Sequence, residues 1–152
     1  MTIEDDIAFL EGVPTFALLG RPALRILAIG SEGRYVHDGE VLFRAGDAAD
    51  CGYVIQEGSF RLTPGGAEDG HDVTVGRGVL LGELALLIDT VRPVTATAAE
   101  PSNVMRISRS LFLKMLEGFP DAALRLRDHI AARANQTARD MSNVRASLDP
   151  EG

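Results

Sequence analysis

The spacing of apolar residues divides the chain into three regions, of which the first is helical. Residues 1–30 carry apolar positions at helical spacing, interrupted at Pro14 and Pro22. The segment "RPALRILAIG" has one apolar helical face and stops at Gly30. The pattern therefore predicts short N-terminal helices.

The second region, residues 34–107, consists of short apolar runs separated by glycine-containing turns. "EVLFRAG", "GYVIQEG", "SFRLTPGG" and "DVTVGRG" each fit a strand of about four to six residues, and "RPVTATAAEPSNVMRIS" alternates like two further strands. Turns recur about every eight to twelve residues, a rhythm that is typical of an antiparallel sandwich or barrel. This region predicts an antiparallel β-roll of about eight strands.

The third region, residues 108–148, is helical again. Ser108 suits the start of a helix that ends at Gly118, and Pro120 suits the first turn of a long final helix. The fold class predicted is therefore α+β, a jelly-roll-like β-roll flanked by N-terminal helices and a long C-terminal helix. A single domain accounts for residues 1–152.

Composition narrows the class of protein. The chain has 152 residues, enough for one domain with a core, and 45% of them are hydrophobic. A mean hydropathy of +0.06 argues against both a disordered chain and a membrane protein. "MTIEDDIAFL" lacks the basic start of a signal peptide, so we expect a cytoplasmic protein. The net charge of −7 and the lack of a Lys/Arg cluster disfavour nucleic-acid binding.

The residues that could support metal or redox chemistry are few. The single cysteine, Cys51, excludes an intramolecular disulfide and a four-cysteine metal site, and we interpret it as a buried thiol at the start of a strand. His37, His71 and His129 are far apart in the sequence and are interpreted as solvated or capping side chains. We therefore expect no catalytic residues, no metal and no cofactor.

One stretch, residues 80–98, places a lone acid and a lone arginine in an apolar setting: "LLGELALLIDTVRPVTATA". Gly82 can open a tight turn, and "ELALL" fits a short helix whose first N–H groups suit an anion. The Arg92 guanidinium matches a phosphate, and Glu83 can accept from a hydroxyl. A phosphorylated sugar site and a weak surface salt bridge both fit these residues, and spacing alone favours the salt bridge.

This stretch also resembles a known motif. Residues 81–95 resemble the phosphate-binding cassette of cyclic nucleotide-binding domains, with a contiguous GELAL, a nine-residue step to the arginine and a following Thr95. "FLEGVPTFALL" and "GEVLFRAGDAADCGYVIQEGSFRL" resemble the helical segment and the first strands of that family. The resemblance covers nearly the whole chain, and it implies a β-roll that binds a cyclic nucleotide.

The resemblance implies a role for each cassette residue. Glu83 would accept a hydrogen bond from the ribose 2′-OH, and Arg92 would pair with the exocyclic phosphate oxygens. The backbone N–H groups of Leu84 and Ala85 would face the cyclic phosphate. Gly82 would let the backbone approach the ribose.

The residues after the arginine depart from the family pattern. Pro93 stands where family members often have Ala or Ser, and it has no N–H to offer to the phosphate. The missing contact is expected to weaken binding by about 1–3 kcal/mol. Val94, the next residue, completes the predicted ligand-binding set around the cassette. Val91 replaces a common proline before the arginine.

The final helix carries a heptad pattern. Apolar or small residues follow one another at intervals of four and three: Ile130, Ala134, Thr137, Met141, Val144 and Leu148. The first turns can pack on the β-roll, as Leu126 extends the face upstream. A helix of this length outruns so small a domain, however, so we expect the distal part to pair with a second copy in a homodimer.

The same segment resembles the dimerisation helix of the catabolite-activator branch of the family. This resemblance implies that Arg133 lies near the ribose phosphate and that Thr137 lies at the adenine amino group. Ala138 stands where the activator has a serine, which puts the partner subunit's contact to the base in doubt. Thr137 as a tolerated polar residue of the dimer seam is an equally weighted interpretation.

The function predicted is that of a cyclic nucleotide sensor, with cAMP favoured over cGMP. Its signal would pass through a partner protein or through its own oligomeric state. The chain ends about four residues after the final helix, so we expect no direct DNA binding. No apolar run approaches the roughly 18 residues that a membrane span needs, so we expect no membrane contact. One alternative is a degenerate β-roll that no longer binds nucleotide and serves as a dimeric interaction module, which Pro93 supports. A cupin-like metal enzyme is the other, and the absence of a histidine cluster argues against it.

Overall fold

A computed structural model of the protein describes residues 2–65 and 71–132. Within these residues the fold is α+β, as predicted, with ten antiparallel strands in place of the eight or so expected. Two helices precede the strands and two follow them. The helices pack against one face of the strands, and the other face closes a second core. The segment that resembles a cassette, residues 81–95, contributes Leu86 to the first of these cores and Leu81 to the second.

The N-terminal helices follow the predicted pattern. Helix α1 spans Ile3–Glu11 and is followed by a 3₁₀ turn at Phe16–Leu18 and by helix α2 at Arg21–Gly30. Thr2 caps α1 through a reciprocal pair of hydrogen bonds with Asp5.

The strands are short and numerous. Their bounds are Glu32–Val36 (β1), Val41–Phe43 (β2), Ala48–Ala49 (β3), Cys51–Glu57 (β4), Ser59–Pro64 (β5), Val73–Gly76 (β6), Leu80–Leu81 (β7), Thr90–Val91 (β8), Val94–Ala98 (β9) and Ser102–Ser108 (β10). One sheet has the order β1-β10-β4-β7, the other has the order β2-β9-β5-β6, and β3 pairs with β8. Consecutive strands β9 and β10 belong to different sheets, so the chain crosses from one sheet to the other between them. The two four-stranded sheets together form the β-roll.

Strands β4 and β10 separate the two cores, because successive side chains of a strand point to opposite faces. Val54, Met105 and Ile107 belong to the core that is shared with the helices. Ile55 and Val104 belong to the core between the two sheets. Both faces of β4 are therefore buried over Cys51–Ile55, which explains why this segment lacks an alternation of apolar and polar residues.

The C-terminal helices begin as predicted. Helix α3 spans Arg109–Gly118, and the Ser108 hydroxyl accepts from the Leu111 N–H at 3.1 Å. Residues 120–132 form a further helix, α4. Its buried Leu126 and half-buried Ile130 pack on the helical core of the same chain. The later heptad positions, 134–148, lie outside the described residues.

The structure also differs from the sequence pattern in its strands. Strand β1 begins at Glu32, two residues before the pattern changes at Arg34, and its first four residues are exposed. Exposed positions carry no apolar alternation, so this strand leaves only a weak signal in the sequence. Strands β5 and β6 pair antiparallel, and residues 66–70, which lie between them in the chain, are outside the described residues. No helix in the described part of the chain is long and apolar enough to cross a bilayer.

We predict that Gly58→Ala destabilises the fold by about 2–5 kcal/mol. Gly58 joins β4 to β5 with φ +93°, and a Cβ there would overlap the buried Ser102 hydroxyl and lie 2.8 Å from the Pro101 carbonyl oxygen. The backbone conformation costs an L-residue about 1–2 kcal/mol, and overpacking adds about 1–3 kcal/mol. Urea unfolding measures the loss.

Gly78→Ala is the matched control for this prediction. Gly78 has φ +89°, and no heavy atom lies within 4 Å of its ideal Cβ position. This variant therefore carries the backbone strain without the overlap, and its expected cost is about 1–2 kcal/mol. Equal losses in the two variants would show that contact with Ser102 does not limit the turn.

Candidate functional site

A cavity of about 460 Å³ lies against the cassette. It is lined by every predicted ligand-binding residue that the structure describes: Gly82, Glu83, Leu84, Ala85, Arg92, Pro93 and Val94. The two other predicted residues, Arg133 and Thr137, lie outside the described residues. Residues that are distant in sequence, such as Phe43 and Leu62, complete the wall.

The cassette turns sharply at Gly82 and is then anchored by apolar side chains. Gly82 has φ +83°, and the next residues form one 3₁₀ turn at Leu84–Leu86. Ala85 and Leu86 are buried, whereas Leu84 is about half exposed. Leu86 packs against β4 at Gly52, where a Cβ would lie only 3.3 Å from the leucine. The buried side chains of the turn therefore anchor it to the protein core.

The sequence predicted a short helix at "ELALL", and the structure has a single 3₁₀ turn instead. The Ala85 N–H donates to the Gly82 carbonyl at 3.1 Å, and the Leu86 N–H donates to the Glu83 carbonyl at 3.1 Å. A turn of this length does not build the dipole of a longer helix. Of the two N–H groups that the resemblance assigns to the phosphate, that of Ala85 already has a protein acceptor.

Backbone hydrogen bonds fix Arg92 between β8 and β9. Its N–H donates to the Asp47 carbonyl at 2.8 Å, and its carbonyl accepts from the Gly46 N–H at 2.7 Å. The Thr95 hydroxyl accepts from the Ala45 N–H at 2.9 Å. The loop before β3 thus determines where the arginine leaves the backbone.

The Arg92 side chain is buried, with only 5% of the residue exposed. Its guanidinium lies over the Phe43 ring at 4.4 Å and over the Tyr53 ring at 5.6 Å. Nη2 donates to the Cys51 thiol at 3.3 Å, and within the described residues the buried Nη1 has no hydrogen-bond partner. This burial excludes the alternative of an exposed salt bridge.

This environment leaves the guanidinium short of acceptors. A thiol is a weak acceptor, and aromatic faces attract a cation without accepting conventional hydrogen bonds. A buried unpaired donor costs about 1–3 kcal/mol, and more when it is charged. Because Arg92 lines the cavity, the wall includes a buried guanidinium that is short of acceptors among the described residues and suits an oxyanion.

Gly82 is required by the arginine as well as by the turn. A Cβ at Gly82 would overlap Nη1 of Arg92 and lie 3.1 Å from the Cys51 carbonyl oxygen. The resemblance assigned this glycine to the approach of a ribose. The structure adds that its missing side chain makes room for the guanidinium.

Three residues behind the arginine had no assigned role in the sequence-based site. Cys51 is confirmed as a buried thiol at the start of β4, but its contact with Arg92 was not predicted. Phe43 and Tyr53 stack on each other with ring centroids 6.0 Å apart. Burial raises the pKa of the Tyr53 phenol, and the Cys51 thiol beside it raises that pKa further. Tyr53 therefore stays neutral near pH 7.

The rest of the cavity lining is mostly apolar: Phe43, Ala49, Leu62, Val79, Leu80, Leu81, Thr90 and Val91. One guanidinium and one carboxylate in such a lining suit a ligand with an anionic group, a hydroxyl and an apolar surface.

Across residues 2–65 and 71–132, no group of three or more His, Cys, Asp or Glu side chains could hold a metal ion.

Comparison with known proteins supports this description. A sequence profile described as the cyclic nucleotide-binding domain matches residues 33–119. The solved structure of a cyclic nucleotide-binding-like protein from Brucella abortus is 41% identical. It superposes with a TM-score of 0.66, and the match covers 74% of this chain and 98% of that one.

Two curated relatives are longer proteins. The cAMP-dependent protein kinase regulatory subunit of Yarrowia lipolytica is 32% identical over 108 residues, which are 71% of this chain and 28% of the relative. Lysophospholipase nte1 of Neurospora crassa is 30% identical over 111 residues, which are 72% of this chain and 7% of the relative. The chain thus matches only a small part of either relative.

The profile match covers more than half of the chain and includes the whole cassette. The fold, the cavity and the buried arginine agree with that match. The chain belongs to the cyclic nucleotide-binding domain family.

Proposed function

We propose that the chain is a cyclic nucleotide sensor that binds cAMP in preference to cGMP and acts by binding rather than by catalysis. The observation that carries this proposal is the buried Arg92, whose Nη1 has no hydrogen-bond partner among the described residues and which lines the cavity. A phosphate oxygen is a strong acceptor for a guanidinium.

Glu83 supports a nucleotide rather than a simple anion. Its carboxylate would repel an isolated phosphate, but it can accept from a ribose hydroxyl that is attached to that phosphate. Because the Ala85 N–H already donates to Gly82, it must share or exchange that acceptor to reach a ligand. We therefore assign most of the phosphate binding to Arg92.

The Yarrowia relative supports the choice of cAMP and a regulatory role, because it is named as the regulatory subunit of a cAMP-dependent kinase. The proposal includes Arg133 near the ribose phosphate and Thr137 at the adenine amino group, as the family resemblance implies. Binding would then be passed on to a partner protein or to the oligomeric state of the chain itself.

We predict that Arg92→Ala weakens cAMP binding at least about thirtyfold while the fold is kept. Removing one partner of a buried charge pair costs about 2–5 kcal/mol, and each tenfold in affinity corresponds to about 1.4 kcal/mol. Calorimetric titration measures the affinity. In a thermal-shift assay, cAMP at 100 times its Kd should stabilise the wild type by about 2.7 kcal/mol, or roughly 5–11 °C.

Two variants sharpen this test. Arg77→Ala removes an arginine from a different cavity, where it lies over the Phe9 ring, and should leave the affinity for cAMP unchanged. Glu83→Gln should weaken binding less than Arg92→Ala, because an amide oxygen still accepts from the 2′-OH. An Arg92→Ala protein that binds cAMP as tightly as the wild type would exclude this cavity as the site.

A second candidate function follows from Pro93. This residue lines the cavity and has no N–H to offer to a phosphate. A β-roll that has lost nucleotide binding and serves as an interaction module is consistent with that departure. Absence of any heat or thermal shift with cAMP and cGMP at millimolar concentration would favour it over the sensor.

We predict that Pro93→Ala tightens cAMP binding by about five- to a hundredfold. The substitution restores an N–H next to Arg92, and a hydrogen bond to a charged group contributes about 1–3 kcal/mol. Calorimetric titration of both proteins decides it. An equal or weaker affinity would mean that Pro93 shapes the loop, whose Pro93 carbonyl accepts from the Gly65 N–H at 3.2 Å.

The proposed signal through oligomeric state rests on the heptad pattern after Ile130. We predict that the wild type is a parallel homodimer and that Met141→Glu combined with Val144→Glu makes it monomeric. The two glutamates in each helix place like charges at the predicted dimer interface, and their repulsion opposes pairing of the helices. Light scattering at tens of micromolar, with and without cAMP, measures the mass. A monomeric wild type under both conditions would contradict the dimer.

A further inference from the structure

Arg109, the first residue of α3, lies behind the wall of the cavity. Its Nε donates to the Ala85 carbonyl at 2.8 Å, and its Nη2 donates to the Ala49 carbonyl at 2.5 Å. Ala85 belongs to the cassette turn and Ala49 belongs to β3, and both residues line the cavity. One guanidinium thus joins two separate parts of the cavity wall.

Two further bonds complete the arrangement. Nη1 of Arg109 contacts an Asp89 carboxylate oxygen at 2.5 Å, and the Arg109 N–H donates to the Asp50 carbonyl at 2.8 Å. Asp89 is almost fully exposed, whereas only 19% of the Arg109 side chain is exposed. The exposed ion pair contributes little, so the bonds to the carbonyls account for most of the interaction.

The geometry of the side chain explains why an arginine stands here. A guanidinium presents its donors in a planar fork and can hold acceptors on two chain segments at fixed positions. A lysine has the same charge, but its ammonium is a point donor on a flexible stem, and it does not reproduce the fork. The separation between Ala49 and Ala85 therefore depends on the shape of this side chain.

We propose that Arg109 is a positioning residue for ligand binding: it holds the cassette turn against β3 and so sets the width of the phosphate-binding end of the cavity. This inference rests on the proposed function, because it assigns that end of the cavity to a phosphate. Arg109 lies behind Ala85 and acts on the ligand through the backbone. It also connects the cassette directly to the first turn of α3.

A positioning role and a purely structural role predict different results. If Arg109 only stabilises the fold, its loss weakens all protected regions alike. If it positions the cassette, its loss loosens the turn at residues 84–87 and leaves distant strands unaffected. The Ala85, Leu86 and Leu87 amides all donate within that turn, so their hydrogen exchange reports its opening. Amides of the β5–β9 ladder are the internal reference.

The experiment combines amide exchange by NMR with calorimetric titration of cAMP for Arg109→Gln and Arg109→Lys. We expect exchange at residues 85–87 to become at least tenfold faster in Arg109→Gln, with the β5–β9 amides unchanged. We expect its affinity for cAMP to fall at least tenfold. Arg109→Lys keeps the charge, and both its exchange rate and its affinity should lie between those of the wild type and Arg109→Gln. If Arg109→Gln does not fold, Arg109→Lys takes its place in the test.

Three control variants are available in the chain. Asp89→Asn removes the exposed ion pair, and Arg106→Gln removes an arginine whose partners, Glu32 and Asp50, are exposed carboxylates. Both should keep cassette exchange and affinity within about twofold of the wild type. Gly58→Ala lowers global stability at a remote turn, and it should leave the affinity unchanged at temperatures where it is folded.

Each outcome decides the inference. Unchanged exchange at residues 85–87 in Arg109→Gln, or an increase shared equally by the β5–β9 amides, would overturn it. Loss of affinity in Gly58→Ala equal to that in Arg109→Gln would overturn it as well. A wild type that binds neither cAMP nor cGMP would contradict the proposed function alone, and the exchange measurements would then still decide whether Arg109 holds the cassette.

Discussion

The region around the cassette depends on keeping the Arg92 guanidinium out of water. Desolvating a cation is costly, and the surroundings offset that cost only in part, through two aromatic faces and one thiol. The absence of a side chain at Gly82 follows from the same constraint, because a Cβ there would occupy the space of Nη1. The polar side of the site is thus built around one incompletely satisfied donor group.

Such a group is useful only if the protein fixes its position, and two devices do so. The loop at residues 44–47 binds the backbone of Arg92, so the side chain leaves the sheet at a defined point. Arg109 binds the Ala85 and Ala49 carbonyls from behind the cavity. Arg92 lines the cavity, and Arg109 binds the wall from behind. Preorganisation of this kind lowers the ordering cost that a ligand would otherwise have to offset.

Local patterns in the sequence were sufficient for the architecture, whereas the cassette was identified by its resemblance to a known family. Helical spacing before Gly30 reflects burial of one helix face, and the apolar run of β4 reflects burial of both of its faces. These patterns predicted the fold class, which is confirmed. Strand β1 is mostly exposed and lacks that signal. The 3₁₀ form of the cassette turn depends on hydrogen bonds back to Gly82 and Glu83, which apolar spacing does not report.

The contacts of the two arginines are a different case, because they join residues far apart in the chain. Arg92 meets Cys51 across 41 positions, and Arg109 meets Ala49 across 60. No periodicity of a single segment contains such information. The motif identified Arg92, since its spacing from Glu83 is local. Arg109 has no comparable local partner in the pattern, so its role could be read only from the fold.

An anionic ligand and a protein of net charge −7 are compatible because the relevant interactions act over different distances. Charges on the surface are screened beyond about 8–10 Å at physiological salt, so the overall charge acts weakly on a ligand inside the cavity. A guanidinium about 4 Å from a phosphate interacts with an energy of about 4 kcal/mol at an effective dielectric constant of about 20. For the proposed ligand, the local arginine would therefore dominate the binding equilibrium, while the surface charge would mainly slow the encounter of protein and ligand.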